Sequence, residues 1–344
     1  MKYKAAIIGL GQIGFKIDLD PFRKIIWSHA KAYDHIKNIK LIGVSEIDKK
    51  KIPTFAKYYP KVKIYEDYLD LLNKNKIDVV SICTPTKTHL NIIKTIIKCS
   101  SKPKVIFCEK PMGRNFKECK EIISLCNEYN VVLGTNYMRR WDDRFIQINK
   151  LIKEEKLGSL QSISAYGASA LLTSTSHLID LFLMYGGSNI DWLVGELQQD
   201  YIREIHGEKD YGGYAFIKFT NGVYGYLKGT SIDSSFYMFE IDLLFSKGRI
   251  TIADDGREIN IWKFSDSENR SGSGYKTLVE SNEIKTDPEN ERMLAAIENL
   301  IECIENNITP SSDGLNALEV HKFIEGIKIS NKLNKKIIYK NVYN

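Results

Sequence analysis

A lysine held between an acid and a proline, in Glu109-Lys110-Pro111, is the residue of this chain best suited to exchange a proton with a substrate oxygen. The apolar run before it, residues 104–108, predicts a buried strand, so Lys110 would stand at that strand's carboxyl end. Burial and cationic neighbours would have to lower the pKa of its ammonium from about 10.4 to about 7 or 8, which is roughly 4 kcal/mol. A lone loop lysine is by default a surface residue, but the position at a strand end favours a catalytic one.

The stretch Gly9-Leu10-Gly11-Gln12-Ile13-Gly14 can hold phosphates. It follows the apolar run 3–8, and G-x-G-x-x-G between a strand and a helix is the fingerprint of a dinucleotide pyrophosphate site. Gly9 permits the tight turn, Gly11 lets the backbone approach the phosphates, and Gly14 lets the helix pack on the strand. Gln12 and Ile13 complete the turn, whose backbone N–H groups bind anions. The motif alone is weakly specific, but its context predicts an NAD(P) site.

Glu46 ends a second apolar run, residues 40–46. An acid at this place in a dinucleotide fold accepts hydrogen bonds from the adenosine ribose and repels a 2′-phosphate, so Glu46 favours NAD(H) over NADP(H). Lys49, Lys50 and Lys51 follow closely. We interpret them as a solvated helix start rather than a phosphate site, which leaves NADP(H) as the alternative cofactor.

A third buried run, residues 78–85, ends with Thr84 and Pro85 and leads into a segment that contains His89. Because ligands bind at the carboxyl ends of parallel strands, these residues should lie near the cofactor, as should Glu109 and Lys110. His89 fits equally well as a histidine at a helix start with no chemical role.

Chemistry-bearing residues of the second half begin with Arg139-Arg140, whose planar guanidinium groups suit bidentate binding of a substrate phosphate or carboxylate. A salt bridge to Asp142 or Asp143 explains these arginines at least as well. Further on, residues 174–182 predict a capped helix with His177 and Asp180 three apart and so on one face. Buried helix histidines are often only hydrogen-bonded core residues.

Together, in this order, these motifs resemble the glucose-fructose oxidoreductase / inositol dehydrogenase / MocA (Gfo/Idh/MocA) family of NAD(P)-dependent oxidoreductases, over nearly the whole chain. The resemblance implies that Lys110 is the catalytic lysine, that the peptide before Pro111 is cis, and that Asn136 and Arg140 face the active site. It further implies that His177 binds the reacting hydroxyl as base or proton relay.

The same resemblance gives Asp180 a part in holding the site or contacting substrate. Thr173 marks a departure, because many sugar dehydrogenases of the group carry an aspartate four residues before the histidine. Thr173 can hydrogen-bond but carries no charge, which places the substrate class and the acid–base scheme in question.

The elements that must position these residues predict an α/β fold. A Rossmann-type, doubly wound parallel sheet should occupy residues 1–135, and a C-terminal α/β domain with a large, mostly antiparallel open sheet residues 136–344. Period-two alternation between residues 211 and 262, with turns at Asn221-Gly222 and Lys247-Gly248, predicts that sheet. A polar loop is predicted at 265–273, and amphipathic helices at 289–305 and 315–333. The active site is expected in the cleft between the domains.

Composition limits the remaining classes. The chain has 344 residues, a net charge of +6 with interspersed lysines, and six cysteines without a C-x-x-C pair. These features argue against nucleic-acid binding, a zinc site or a disulfide framework. With no signal peptide or membrane-length apolar run, we expect a cytoplasmic protein that acts on a small molecule, not on membranes, with no metal. By resemblance it should be a homodimer or homotetramer, paired through the C-terminal sheet.

The expected reaction is reversible hydride transfer between the nicotinamide C4 and a carbinol or keto carbon of a sugar, polyol or nucleotide-linked sugar, for example in surface-glycan sugar biosynthesis. One alternative is a glycosidase or eliminating enzyme that oxidises its sugar and then re-reduces it with the same bound NAD. Another is a non-catalytic NAD-binding sensor. Retention of Lys110 and His177 argues against the sensor, and loss of the acid at Thr173 argues mildly for it.

Overall fold

The computed structural model describes residues 2–187, 189–205, 208–230, 237–265, 274–281 and 291–343. By their packing these residues form two compact units, Met1–Asp142 with Glu289–Leu318, and Asp143–Pro288 with Glu319–Asn344. The first unit is therefore discontinuous in sequence, whereas the predicted division after residue 135 is continuous. Most of the predicted polar loop, residues 266–273, and the predicted helix start at 289–290 lie outside the described residues.

The strands, in chain order, are β1 Tyr3–Ile8, β2 Ile39–Ser45, β3 Lys63–Tyr65, β4 Val79–Ile82, β5 Val105–Cys108, β6 Val132–Thr135, β7 Leu160–Gly167, β8 Ile190–Ile205, β9 Glu208–Phe219, β10 Tyr224–Gly229, β11 Phe239–Phe245, β12 Gly248–Ala253, β13 Glu258–Ser265, β14 Thr277–Glu280 and β15 Ile337–Ile338. The helices are α1 His29–His35, α2 Ile52–Tyr58, α3 Tyr68–Asn73, α4 His89–Lys98, α5 Phe116–Glu128, α6 Asp143–Lys153, α7 Thr175–Gly186, α8 Arg292–Asn306 and α9 Gly314–Leu333. Short 3-10 helices lie at Lys16–Leu19, Thr86–Thr88, Met138–Trp141, Asp254–Gly256 and Tyr339–Tyr343.

The sheet of the first unit has, within the described residues, six strands in the order β3-β2-β1-β4-β5-β6. Every neighbouring pair is parallel. Its strands β4 and β5 are buried on both faces, which is why they read as continuous apolar runs in the sequence. This is the strand order of a Rossmann sheet, and it confirms the predicted fold of the first half.

An insertion separates the glycine turn from its helix. After one turn and a 3-10 helix the chain makes a detour through Pro21, and α1 begins only at His29. The N–H groups of His29 and Ala30 nevertheless donate to the carbonyls of Ile13 and Gly14, at 3.0 and 3.1 Å. α1 therefore continues the helical path that the glycine turn starts, and the insertion leaves and rejoins it.

Helix α8 completes the core of the first unit. Its buried residues Met293, Ile297 and Leu300 belong to the same apolar cluster as β1 and β5. Gly134 in β6 is required for this packing, since a Cβ there would lie 2.6 Å from Leu300 Cδ2. The indole of Trp141 donates to Asn299 Oδ1 at 2.9 Å. After passing through the second unit, the chain thus returns to the first unit, and α8 completes its core.

The second unit contains, among the described residues, a nine-stranded sheet in the order β14-β13-β12-β11-β7-β10-β9-β8-β15. Its strand pairs are antiparallel except β7 with β10. Side chains alternate along β11, where Ile241 and Leu243 are buried and Leu244 is exposed. Phe182 of α7 packs on Phe219 of β9, with ring centroids 5.8 Å apart. The mostly antiparallel second sheet is therefore confirmed. In the described part of the chain, no helix has the length and apolar character needed to cross a membrane.

Candidate active site

The glycine turn follows β1 directly. Gly9 has φ +99°, and a Cβ there would lie 2.8 Å from the Cys83 carbonyl oxygen after β4. At Gly14 a Cβ would come within 2.3 Å of the Gly9 carbonyl oxygen, whereas at Gly11 the nearest atom would be 3.8 Å away. Gly9 and Gly14 are thus demanded by the turn itself, while Gly11 leaves space beside the backbone. Gln12 is exposed and Ile13 is half-buried.

Glu46 lies immediately after β2 and is buried. Its carboxylate accepts the Leu10 N–H of the glycine turn at 2.7 Å and the Asp48 N–H at 2.9 Å. Lys51 Nζ lies 3.2 Å from the same carboxylate. The predicted ribose-binding acid therefore stands beside the glycine turn, and one of the three lysines that follow it is held by this acid.

Thr84, Pro85 and His89 surround the carboxyl end of β4. The Thr84 hydroxyl lies 2.7 Å from that of Thr88. His89 is buried, with Nε2 2.8 Å from the Thr84 carbonyl and Nδ1 3.2 Å from the Met112 carbonyl. Burial lowers the pKa of His89, although its backbone hydrogen bonds oppose this. The imidazole therefore joins two loops of the site. A structural role of this kind was one of the two interpretations of His89 that the sequence allowed.

Glu109 and Lys110 follow β5, and the Lys110–Pro111 peptide is cis, as predicted. Lys110 is half-buried, and its N–H donates to Glu109 Oε2 at 3.3 Å. Glu109 Oε1 accepts from Asn136 Nδ2, after β6, at 2.6 Å and lies 2.9 Å from His29 Nε2. Burial raises the pKa of the Glu109 carboxyl, but His29, Asn136 and Lys110 together hold this pKa below its ordinary value. The sequence led us to expect cationic neighbours around Lys110, whereas the charged group shown beside it is the acid Glu109.

His29 was not predicted as a site residue. It is fully buried at the start of α1, with Nδ1 2.8 Å from Ser81 Oγ in β4, and Ser81 Oγ is 2.7 Å from the Tyr33 hydroxyl. Its ring lies 4.8 Å from that of Phe107. The helical spacing of His29, Ala32 and Tyr33 could have shown that His29 faces inward, but not that it meets Glu109, 80 residues away in sequence.

Asn136 and the two arginines lie where the first unit ends. The orientation of the Asn136 amide follows from its contact with Glu109, because a carboxylate must face the NH₂ group. Its Oδ1 is buried and accepts no hydrogen bond within the described part of the chain. Arg139 is buried and Arg140 half-buried. Asp142, one proposed partner of these arginines, forms a buried ion pair with Arg292 Nε at 2.6 Å.

In the second unit, Thr173, His177 and Asp180 lie on or just before α7. His177 is 9% exposed and Asp180 1%, and their spacing places both on one face of the helix. Thr173 Oγ1 donates to the Ala170 carbonyl at 3.0 Å. The predicted cap of this helix is corrected, because Ser169 Oγ, not Ser174, accepts the Thr175 N–H, at 2.7 Å. A buried acid that was not predicted, Asp210, accepts the Leu172 N–H at 2.9 Å.

No group of three His, Cys, Asp or Glu side chains is arranged to hold a metal ion anywhere in the described ranges. The six cysteines are free thiols. Burial raises the pKa of Cys83 and of Cys108 well above the ordinary thiol value. The chemistry available in the first unit is therefore that of a lysine, a buried carboxylate and amide or imidazole groups beside a glycine turn.

Comparison with known proteins agrees with this geometry. A family model described as an oxidoreductase family with an NAD-binding Rossmann fold, GFO_IDH_MocA, matches residues 3–137. Residues 3–137 therefore form an NAD-binding Rossmann domain of the kind found in Gfo/Idh/MocA oxidoreductases. The matched range contains the glycine turn and the Glu109-Lys110-Pro111 segment.

Similar proteins include an uncharacterized oxidoreductase of Bacillus subtilis, YrbE, which is 30% identical over 153 residues, 44% of this chain and 40% of that protein. The chain thus aligns with less than half the length of YrbE. Myo-inositol 2-dehydrogenase of Thermotoga maritima is 24% identical over 288 residues, covering 79% of this chain and 81% of that enzyme. Among solved structures, the WlbA dehydrogenase of Bordetella pertussis, in complex with NADH and UDP-GlcNAcA, shares the fold with a TM-score of 0.77 at 17% identity, over 98% of this chain and 99% of that one.

Proposed function

We propose that this protein is a dehydrogenase or reductase that acts, with NAD(H), on a CH–OH or keto carbon of a sugar, polyol or nucleotide-linked sugar. The observation that carries the proposal is the place of Lys110. It follows β5 at the carboxyl edge of the sheet, two strands from the glycine turn, with a buried acid hydrogen-bonded to its own N–H.

The residues of the first unit fit NAD(H). Space beside Gly11 allows a phosphate to approach the backbone, and the buried Glu46 carboxylate is available for a ribose beside that turn. Asn136 Oδ1 is a buried acceptor, which suits an amide or hydroxyl donor. Thr84, Pro85 and His89 would line the next strand end. NADP(H) is the alternative, for which Lys51 would have to leave Glu46.

When bound, NAD(H) supplies or takes up the hydride. Lys110, as an ammonium, would donate a hydrogen bond and then a proton to the oxygen of a carbonyl substrate, and as an amine it would accept the proton of a hydroxyl substrate. By the resemblance to the family, His177 would bind the reacting hydroxyl or relay its proton, and Asp180, on the same face of α7, would help to orient the substrate. Because its hydroxyl donates to the Ala170 carbonyl, Thr173 would accept a hydrogen bond where related enzymes use a charge.

The proposed substrate class rests on the relatives' substrates and on the uncharged Thr173. Inositol and a UDP-linked sugar acid both present secondary hydroxyls on a six-membered ring. Arg140 would suit the phosphate or carboxylate of a nucleotide-linked or acidic sugar. A nucleotide-linked sugar is therefore the first class to test, and free polyols the second.

Substitution Lys110→Ala tests the proposal. We expect turnover to fall about a hundredfold or more, because proton transfer by a positioned group contributes that much, while the Kd for NAD(H) measured by fluorescence stays nearly unchanged. Lys98→Ala, at the exposed end of α4, is the matched control and should behave like wild type.

The assay follows NADH absorbance with UDP-linked sugars and with inositols, and analyses the products by mass spectrometry. Normal turnover in Lys110→Ala would show that the lysine assignment is wrong. Substrate conversion without net NADH change would instead support the recycling alternative. Tight NAD binding without conversion of any substrate class would support the sensor.

A further inference from the structure

A buried row of hydrogen-bonding groups stands behind Lys110. It runs from the Tyr33 hydroxyl to Ser81 Oγ at 2.7 Å, to His29 Nδ1 at 2.8 Å, and from His29 Nε2 to Glu109 Oε1 at 2.9 Å. Three elements supply it, namely α1, β4 and the end of β5. Tyr33, Ser81 and His29 are each at most 2% exposed, so water does not compete for these contacts.

The hydrogen atoms of this row can be placed in one way such that the two hydroxyl groups and the imidazole each donate one hydrogen bond to the next group in the row. Tyr33 O–H donates to Ser81, Ser81 O–H donates to His29 Nδ1, and His29 Nε2–H donates to Glu109. If every hydrogen bond of the row were donated in the opposite direction, the Tyr33 hydroxyl would have to donate to a group outside the row. Since the tautomer of a histidine is set by the partner of its other nitrogen, Ser81 and Tyr33 direct the His29 proton to Glu109.

The Glu109 carboxylate accepts several hydrogen bonds. Oε1 receives Asn136 Nδ2 in addition to His29, and Oε2 receives the Lys110 N–H. A carboxylate that accepts several N–H groups stays ionised even when buried. Removing one donor shifts the balance back toward the neutral acid, because burial alone favours the protonated form.

Burial keeps several titratable groups near Glu109 uncharged near neutral pH. Burial raises the pKa of the Cys83 and Cys108 thiols well above the ordinary value and lowers the pKa of His89. Burial also raises the pKa of Tyr33. Among these groups, Glu109 is therefore the one that carries a charge, and this charge interacts with Lys110.

The row does not lead to solvent. It ends at the buried Tyr33 hydroxyl, so a proton that entered it from the active site would have no exit there. Its use is accordingly to hold a charge in place rather than to conduct protons.

We infer that His29 is a positioning residue for Lys110, which it serves by donating its Nε2–H to Glu109 and so keeping a negative charge fixed beside the lysine. The inference rests on the proposed function for its catalytic meaning, since the ammonium form of Lys110 is the acid that carbonyl reduction requires. It adds to that function a residue distant in sequence, His29, which influences whether Lys110 is an ammonium or an amine.

The test measures the protonation of Lys110 without substrate or cofactor. Acetylation by acetic anhydride is followed from pH 6 to 11, within the range where amines lose their protons, and quantified at Lys110 by peptide mass spectrometry, with the exposed Lys98 as internal standard. The variants are Glu109→Gln, His29→Leu and His29→Gln, whose amide keeps an N–H donor. Phe107→Leu is the matched control, since it loses the packing on the His29 ring but keeps every hydrogen bond of the row.

We expect Glu109→Gln to lower the acetylation midpoint of Lys110 by about 1 unit or more, because an opposite charge is removed. His29→Leu should lower the midpoint in the same direction by at least about 0.5 unit, His29→Gln should restore it toward wild type, and Phe107→Leu should leave it unchanged while lowering the melting temperature. An unchanged or raised midpoint in His29→Leu would overturn the inference, as would failure of His29→Gln to restore it.

This readout separates the inference from the proposed function. If no substrate is reduced but the midpoints move as expected, the proposed function fails and the positioning role of His29 stands. If the protein is an active dehydrogenase, the alkaline limb of its kcat/KM profile in the reduction direction should move with the same order among the variants. An active enzyme whose midpoints do not move would lose the role of His29 alone.

Discussion

At the scale of single residues, Glu46 connects the cofactor turn to the strand beside it. Its carboxylate holds the Leu10 N–H, and Lys51 lies against the same oxygen. One side chain therefore both fixes the glycine turn and occupies the lysine that could otherwise bind a 2′-phosphate. Its charge and its role as an acceptor can be separated by substitution.

Glu46→Gln keeps an oxygen for the Leu10 N–H but removes the charge. We expect the ratio of NAD to NADP affinity to fall by about tenfold or more, about 1.4 kcal/mol, because Lys51 is released and the repulsion of a 2′-phosphate is lost. Titration of both cofactors by intrinsic fluorescence measures this ratio.

Glu46→Ala is the companion variant. It also leaves the Leu10 N–H without its acceptor, so the free energy of unfolding should fall by about 1–3 kcal/mol, whereas Glu46→Gln should remain close to wild type. Undiminished NAD selectivity in Glu46→Gln would show that this carboxylate does not face the ribose.

At the scale of elements, the glycine turn contains two kinds of glycine. Gly14 is packed against the Gly9 carbonyl, and Gly11 is not packed against protein. A requirement of the fold and a requirement of the cofactor thus fall on different residues of one motif.

Gly14→Ala should destabilise the protein by about 1–3 kcal/mol, because its Cβ would displace backbone. Gly11→Ala should leave the free energy of unfolding within about 0.5 kcal/mol of wild type, yet weaken NAD binding at least about tenfold, as the new methyl group occupies the approach to the phosphates. Urea unfolding and calorimetric titration with NAD test the pair. Normal NAD affinity in Gly11→Ala would exclude this turn as the pyrophosphate site.

The helices and strands that could be predicted from the sequence are those whose hydrophobic pattern matches their burial in the fold. β1 has its predicted bounds, Tyr3–Ile8, and α9, Gly314–Leu333, begins one residue before the predicted helix 315–333 and ends at its predicted end. No strand was predicted at Lys63–Tyr65, since this three-residue edge strand has one neighbour and no buried residue to mark it.

The site residues also fall into two groups, those that a local sequence pattern can locate and those that it cannot. Lys110, Glu46 and the glycines lie at strand ends, which a sequence pattern can locate. The contacts of His29 with Ser81 and Glu109 span 52 and 80 residues, so they follow from the strand order and from where α1 rejoins the turn, neither of which local periodicity contains.

At the scale of the whole molecule, one face of the nine-stranded sheet carries exposed aromatic side chains within the described residues. Aromatic side chains lie side by side on it, with Phe216 and Tyr224 stacked at 6.2 Å and Tyr166 5.9 Å from Tyr226. Phe216 and Tyr224 are 42% and 43% exposed. An aromatic patch of this kind on a sheet suits a two-fold contact between identical chains.

We therefore expect a homodimer or homotetramer assembled through this face, as the sequence resemblance implied. The double substitution Phe216→Glu and Tyr224→Lys should reduce the particle to a single chain, because charges at the centre of such a contact are not solvated. Light scattering measures the mass, and the same change at Phe22 and Tyr58, two exposed aromatics of the first unit, is the control. A wild-type protein that is a single chain would refute the assembly.

The discontinuity of the first unit also orders events on the ribosome. Residues 1–142 emerge first, but α8, which closes their core, is made only after all of residues 143–288. A chain made from its N-terminus would therefore carry the NAD-binding strands unfinished, with apolar surface exposed, through nearly the whole of translation. Synonymous codons that slow synthesis between 143 and 288 should lengthen this exposed interval. The yield of folded protein would then depend on translation speed in a region from which no described residue enters the core cluster of the first unit.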